Sequence, residues 1–436
     1  MILFFYSAAL TLGLVLSAPW WLLRMATTQR YREGLKERLG SLSPRLRAYV
    51  AGVPPRHVVW IHAVSVGEVL AASRFVAELD EALEPGWKVV ISTTTRTGQT
   101  LARQRFGEDR VFYMPLDFAF SVRAYLRLLR PAAVVLMESE IWPRFLWECE
   151  HAAVSVAVVN ARVSDRSFAR GRKVKALWRH VLKRVSLWLA QSGEDARRLV
   201  AMGAREGSVQ ATGNLKYDVR AVTDNAMQQR IASLLGKSRL VVAGSTLTGE
   251  EAALLEMWPA VHKNSPDVAL LLAPRHPERF DEVTDLVRKS GSPFFRCSQL
   301  PQSTESIPGG TILILDTIGD LAAMYRLAKV AFVGGSLAPK GGHNPLEPAQ
   351  FGVPVLMGSS VENFRSIVEK LQTAGALVCE KDPAALERDL MELLTHPDKV
   401  RTMGEQGRRV FEEQQGATAR AVDAVLRLIH AGTVQR

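Results

Sequence analysis

The chain has 436 residues, 47% hydrophobic and 23% charged, and 55 Lys and Arg against 44 Asp and Glu give it a formal net charge of +11. That length exceeds one ordinary core and predicts two domains, while the composition excludes a disordered or fibrous chain. The excess of basic residues points to an anionic partner: nucleic acid, anionic lipid or a phosphorylated metabolite.

Residues 2–23 (ILFFYSAALTLGLVLSAPWWLL) carry no charged side chain and are about long enough to cross a bilayer. Trp20 and Trp21 stand where an interfacial aromatic belt forms, and Arg24, Arg30, Arg32, Lys36 and Arg38 follow. By the positive-inside tendency those charges keep the downstream chain cytoplasmic. No basic segment precedes the apolar run, which argues against a cleaved signal peptide, and Pro19 leaves open a helix lying in the interface. A membrane anchor is expected over residues 1–24. Cys149, Cys297 and Cys379 lack CxxC spacing, so a disulfide framework and a cysteine zinc site are excluded.

After residue 55 short β-rich runs alternate with helical stretches. Candidate strands are residues 57–64, 88–93, 110–115, 132–138, 153–160 and 187–191, with helices over 69–83 and 118–129 among those between them. Near-continuous Val, Ile and Leu fit a parallel sheet buried on both faces. A second series runs through 239–244, 268–274, 311–316, 329–335, 353–358 and 376–380. The polar helical stretch 221–235 joins the halves, and 400–429 reads as helical and charged. This βαβ repetition predicts an α/β fold of GT-B type, two Rossmann-like doubly wound domains facing a cleft, plus the N-terminal membrane-associated helix. The expected domains are 25–215, which binds acceptor, and 216–400, which binds a nucleotide-linked donor, with a helical segment over 401–436. Ligand sites commonly lie between domains.

The motifs follow the strands. In VWIHAVSVGEVL, Glu68 stands at the mouth of a strand-to-helix turn, where α/β proteins bind ligands and where a helix start also favours a carboxylate. His62 in the same run reads as either a ligand contact or a satisfied strand-end histidine, with the structural role favoured. VLMESEIWP puts Glu138 and Glu140 at another strand end, so one of these three carboxylates is a candidate general base. NARVSDRSFARGRKVKALWRHVLKR interleaves Arg162, Arg166, Arg170, Arg172, Lys173, Lys175 and Arg179 with Phe168, Val174, Leu177 and Trp178. Such a stretch suits anionic headgroups or a phosphorylated lipid, and beside an apolar N-terminal segment the membrane is a simpler partner than nucleic acid. Lys216 in GNLKYD and Arg275 with His276 in LLLAPRHPERF present cations after strands, and Ser245 and Thr246 in VAGSTLTGEE offer hydroxyls at a helix start.

The densest signal is FVGGSLAPKGGHNPLEPAQFGVPVLMG. Gly334 and Gly335 let backbone N–H groups approach a ligand, Gly341 and Gly342 precede a helix start at HNPLEPA that favours a phosphate, and Glu347 can accept from a ribose diol. GKS at 236–238 lacks the preceding Gly of a P-loop, and no GxGxxG follows the first strand.

Taken in order, HAVSVGE, ESEIWP, NARVSDRS, GNLKYD, PRHPER and GGSLAPKGGHNPLEPA resemble the 3-deoxy-D-manno-octulosonic acid (Kdo) transferases of Gram-negative bacteria over nearly the whole chain. That resemblance implies an inverting GT-B glycosyltransferase using CMP-Kdo, without a metal or other cofactor. The implied acceptor is the tetraacyl disaccharide bisphosphate precursor of lipid A (lipid IVA), at the cytoplasmic face of the inner membrane. It implies Glu68 as catalytic base, Glu140 as a second essential carboxylate, and Arg275, Gly334, Gly335, Ser336, Asn344 and Glu347 in the donor site. Lys216, Ser245, Thr246 and His276 join that donor set on their placement, and Ser65, Gly67, Arg162, Arg166 and Arg170 are expected at the acceptor. The expected partners are CMP-Kdo, the lipid A precursor and the anionic inner-membrane surface, not nucleic acid. The competing expectations are a membrane-associated GT-B transferase using a UDP-sugar and a non-catalytic basic membrane-binding protein.

Overall fold

A computed structural model describes residues 2–27, 33–218, 225–300 and 306–434. Arg30, Arg32 and the start of the expected joining stretch, 221–224, lie outside the described residues. The chain divides into two compact units, Met1–Val219 with Gln415–Arg436, and Arg220–Gln414.

In the first unit the sheet contains β1 (Val58–His62), β2 (Lys88–Thr93), β3 (Val111–Tyr113), β4 (Ala133–Met137), β5 (Ser155–Ala161), β6 (Leu187–Ala190) and β7 (Val209–Ala211). The order is β3-β2-β1-β4-β5-β6-β7 and every pairing is parallel. All five residues of β1 and of β4 are buried, as expected of strands covered on both faces. On one face Trp60 meets Phe145 edge-on at 5.1 Å, while Phe112 stacks on Tyr125 at 4.9 Å. On the other, Ile61, Phe75 and Leu79 pack with Ala421 and Val425 of helix Ala417–Val434.

That helix corrects the expected 401–436 segment. Residues of this stretch fall in two helices, Pro397–Glu413 in the second unit and Ala417–Val434 in the first, separated at Gly416 with φ 84°. Asp218, 2% exposed, holds the returning helix by accepting from Gly416 N at 2.7 Å and Thr418 N at 2.5 Å.

The second unit repeats the plan with β8 (Arg239–Thr246), β9 (Val268–Pro274), β10 (Phe294–Arg296), β11 (Ile312–Ile314), β12 (Ala328–Val333), β13 (Val355–Gly358) and β14 (Leu377–Glu380). Their order is β10-β11-β9-β8-β12-β13-β14, again all parallel. Strands β7 and β10 were not foreseen. Each is a three-residue edge strand without a fully buried residue, so neither carries the apolar run that marks the others.

Both sheets have a topological switch point, between β1 and β4 in the first and between β8 and β12 in the second. Connections leave to opposite sides there, opening a crevice at the carboxyl ends of the strands. At the N-terminus, helix Ile2–Thr27 leaves Leu12, Val15, Leu16 and Trp20 exposed, and Tyr6 donates to Asp117 at 2.8 Å. Among the described residues no helix is long and apolar enough to cross a membrane.

Candidate active site

In the first unit, the chain leaves β1 and enters helix Val66–Ala82 with Ser65 as its N-cap. Glu68 is the third helical residue, from which a Glu side chain can fold back onto the helix start. Its Oε2 accepts from Val64 N at 2.9 Å and its Oε1 from the Ser65 hydroxyl at 3.2 Å. Ser65 therefore orients Glu68 rather than capping a helical N–H. The space above Gly67 is open, since a Cβ there would meet nothing nearer than Ser65 Oγ at 3.9 Å. Burial pushes the Glu68 carboxyl up to about 7; the Val64 N–H opposes this, and the charges of Glu138 and Glu140 add to it. Such a carboxyl can take a proton near neutral pH.

Glu138 follows β4 in the left-handed region, φ 56°, an uncommon conformation for a side-chain-bearing residue, and its N–H donates to Val159 O at 2.8 Å. Glu140 is raised by burial and then by the Glu138 charge. Ser139 ties this turn to the end of β5, donating to Arg162 O and accepting from Arg162 N at 3.0 Å. Lys216 was expected at the donor but lies in the first unit. Burial lowers its pKa, the Glu138 charge raises it, and then Arg162 lowers and Glu68 raises it, so one cluster holds these four charges.

The turn carrying Lys216 is held by amides that sequence reasoning passed over. Buried Asn160, φ 60°, accepts from Leu215 N at 3.1 Å on Oδ1 and from Gln191 Nε2 at 3.0 Å on its carbonyl. Asn214 donates to Gln191 Oε1 at 3.0 Å and accepts from Lys216 N at 3.0 Å. Asn160 and Asn214 stand within quoted motifs, yet charge alone drew attention to those motifs. His62 is structural: its Nδ1 lies 2.9 Å from Ser92 Oγ, and burial pushes its pKa down to about 4.

The basic stretch is two helices, Asp165–Lys173 and Lys175–Leu182, broken at Val174. Arg166 and Arg170 are exposed on the first, and Val174 and Leu177 are each 45% exposed among the cations. Phe168 and Trp178 instead pack against the core.

In the second unit, Arg275 and His276 are exposed just beyond β9, and Arg275 N donates to Thr246 O at 3.0 Å. Ser245 and Thr246 do not start a helix. They end β8, and helix Glu250–Asn264 begins only after left-handed Gly249, so the Thr246 side chain is fully buried. The Gly334–Ser336 loop also differs from the expected ligand cradle. The N–H groups of Gly335 and Ser336 donate to Glu250, at 2.7 and 2.9 Å, and the Ser336 hydroxyl joins Val333 O to Gly358 N. The glycines there allow close packing within the chain: a Cβ on Gly334 would lie 2.5 Å from Ser245 O. One on Gly341 would lie 2.5 Å from Asn363 Nδ2.

The helix start expected near His343 is a single four-residue turn, Leu346–Ala349, too short to sum peptide dipoles into an anion site. It nevertheless gathers side chains. Asn344 accepts from Leu346 N at 3.2 Å and donates to Glu347 Oε1 at 3.4 Å. Burial raises Glu347, whereas Asn344 and Arg275 act in the opposite direction. His343 is pushed down to about 4 by burial and then by Arg275 and His276, and its Nε2 is buried without a hydrogen-bond partner. Arg275, His276, His343, Asn344 and Glu347 thus form one polar group. Among the described residues no cluster of three or more His, Cys, Asp or Glu could hold a metal ion.

A family model described as 3-deoxy-D-manno-octulosonic-acid transferase (kdotransferase) matches residues 33–219, and one for glycosyl transferases group 1 matches 307–410. The chain is 35% identical over 429 residues to the 3-deoxy-D-manno-octulosonic acid transferase of Haemophilus influenzae, covering 96% of this chain and 97% of that protein. The chain belongs to the Kdo transferase family. The Kdo transferase of Bordetella pertussis is 34% identical, over 86% of this chain and 88% of its own. As a family member the chain is a glycosyltransferase that transfers Kdo in lipopolysaccharide biosynthesis. A UDP-GlcNAc 2-epimerase structure from Neisseria meningitidis, 12% identical, superposes with a TM-score of 0.57 over 85% of this chain and 99% of that one. That likeness shows the GT-B-like fold of the Kdo transferase and nothing of its substrates.

Proposed function

We propose that this Kdo transferase takes CMP-Kdo as donor and lipid IVA as acceptor, at the cytoplasmic face of the inner membrane. The observation that carries the reading is Glu68: a buried carboxylate with two local donors, poised to ionise at about 7. Its carboxylate removes the proton of the acceptor hydroxyl while that oxygen bonds to the anomeric carbon from the face opposite the leaving group. The bond from that carbon to the CMP phosphate oxygen breaks, and the electron pair leaves on CMP. A phosphate leaving group needs no proton from a strong acid, so the scheme draws on no metal or cofactor. Arg275 and His276 stabilise the growing negative charge, and Asn344 and Glu347 hold the nucleotide. Lys216 and Arg162 offset the carboxylates around Glu68. The exposed apolar residues of helix Ile2–Thr27 and the cations of helices Asp165–Lys173 and Lys175–Leu182 support attachment to an anionic bilayer.

The test is product mass from lipid IVA and CMP-Kdo, with wild type beside Glu68→Gln. Wild type is expected to add one or more Kdo units, and the folded variant, still binding CMP, to add none. No product from wild type sinks the donor and acceptor assignment, and turnover of a UDP-sugar instead moves the chain to the alternative donor. Full activity in Glu68→Gln moves the base to Glu140 or Glu138.

A further inference from the structure

The second unit's switch point, between β8 and β12, is bridged by a residue that no motif singled out. Glu250 is 1% exposed. Its Oε2 accepts from Leu247 N at 2.8 Å and Gly335 N at 2.7 Å, and its Oε1 from Ser336 N and Leu337 N, both at 2.9 Å. Successive N–H groups converging on one point make an anion-binding nest, and the start of helix Glu250–Asn264 adds partial positive charge. A phosphate would suit that nest, yet the chain fills it with its own carboxylate. The loop's other edge is bound too, since Gly335 O accepts from Gly342 N at 2.8 Å and Gly334 O from His343 N at 3.1 Å. The same loop therefore sets the position of His343 and, through it, of Asn344 and Glu347.

We propose that Glu250 is a positioning and specificity-determining residue of the donor half, a built-in anion that holds loop 334–337 in a ligand-ready shape and denies its nest to a second donor phosphate. The inference rests on reading the second unit as the nucleotide-sugar half. A donor with one phosphate meets Arg275 and His276. A nucleoside diphosphate gains nothing from its second phosphate, because the N–H groups that would receive it face a fixed negative charge. A sugar linked through a single phosphate is thereby favoured without any contact between Glu250 and the donor.

Inhibition of Kdo transfer by CMP and by CDP, with the full chain, tests this. Wild type is expected to bind CDP no more tightly than CMP. Glu250→Ala, which empties the nest, is expected to raise KM for CMP-Kdo about tenfold and to shift the CDP-to-CMP preference about tenfold toward CDP, the scale of a lost charged hydrogen-bond set. Added formate, a free carboxylate, is expected to restore the KM of that variant, which mere loss of packing would not allow. Wild type binding CDP about tenfold tighter than CMP overturns the inference with no variant needed, so a variant that fails to fold cannot shield it. Unchanged KM and unchanged preference in a folded Glu250→Ala overturn it as well. Binding of neither nucleotide by wild type overturns the donor reading, and this inference falls with it.

Discussion

Each unit places a glutamate early in the helix that follows a strand at its switch point, and the local sequences share Gly-Glu: Ser65-Val66-Gly67-Glu68 after β1 and Leu247-Thr248-Gly249-Glu250 after β8. Both carboxylates are buried beside a switch point. Among the described residues Glu68 has a backbone N–H and a hydroxyl as donors, and burial raises its proton affinity until it titrates near 7. Glu250 has four backbone N–H groups and pins a loop. Burial raises the proton affinity of a carboxyl that few donors offset, and Glu68 is such a group. The two glutamates thus differ in donor supply and in place along the helix, third in one and first in the other.

Four outcomes test that contrast. The largest belongs to Glu68→Gln, which keeps the volume and removes the base: kcat should fall on the order of a thousandfold, read by product formation, with CMP affinity unchanged. A fall of less than about tenfold would place the proton elsewhere. Asp218 resembles Glu250, a carboxylate satisfied by backbone N–H groups, here at the start of helix Ala417–Val434. Asp218→Ala should cost about 4 kcal/mol by stranding two buried donors, seen as a lower thermal midpoint of the first unit.

The third outcome is a pH dependence of stability. Glu68 titrates near 7 when folded, against 4.5 for a free glutamate. Its contribution to stability is therefore fully present below about 4.5 and lost as pH rises through about 7, a change of about 3 kcal/mol. Glu68→Gln lacks that loss, so its unfolding midpoint relative to wild type should improve between pH 5 and 8; a constant gap would refute the raised pKa. Over the same range wild-type kcat/KM should climb with its midpoint near 7 and level off about one pH unit above it. The smallest effect is that of Glu138→Gln. Removing a neighbouring negative charge should move the midpoint of that profile to lower pH by less than about one unit. A move to higher pH would mean that Glu138 does not act on Glu68 as a like charge.

Much of the architecture was legible in the sequence, because a parallel strand buried on both faces favours apolar, Val-, Ile- and Leu-rich runs, and β1, β4 and β9 are fully buried strands of this kind. The strands β7 and β10 escaped because none of their residues is buried, so neither needs such a run. Glu68 was legible as a reactive candidate from its place at a strand-to-helix turn. The glycine pairs were legible as points of close approach, but not that Glu250, His343 and Asn363 of this chain pack where their side chains would stand.

By itself the sequence determined two doubly wound units, the residues standing at their strand ends and the family to which they belong, since each is written in local pattern or in ordered motifs. Only the tertiary structure decided that burial raises the Glu68 carboxyl, that Lys216 lies in the first unit beside Glu138 and Glu68, and that the last helix returns to the unit where the chain began. The reason is physical. The Glu68 proton affinity is set first by burial, which tertiary packing supplies, and the donors to Glu250 and Asp218 come from segments far away along the chain.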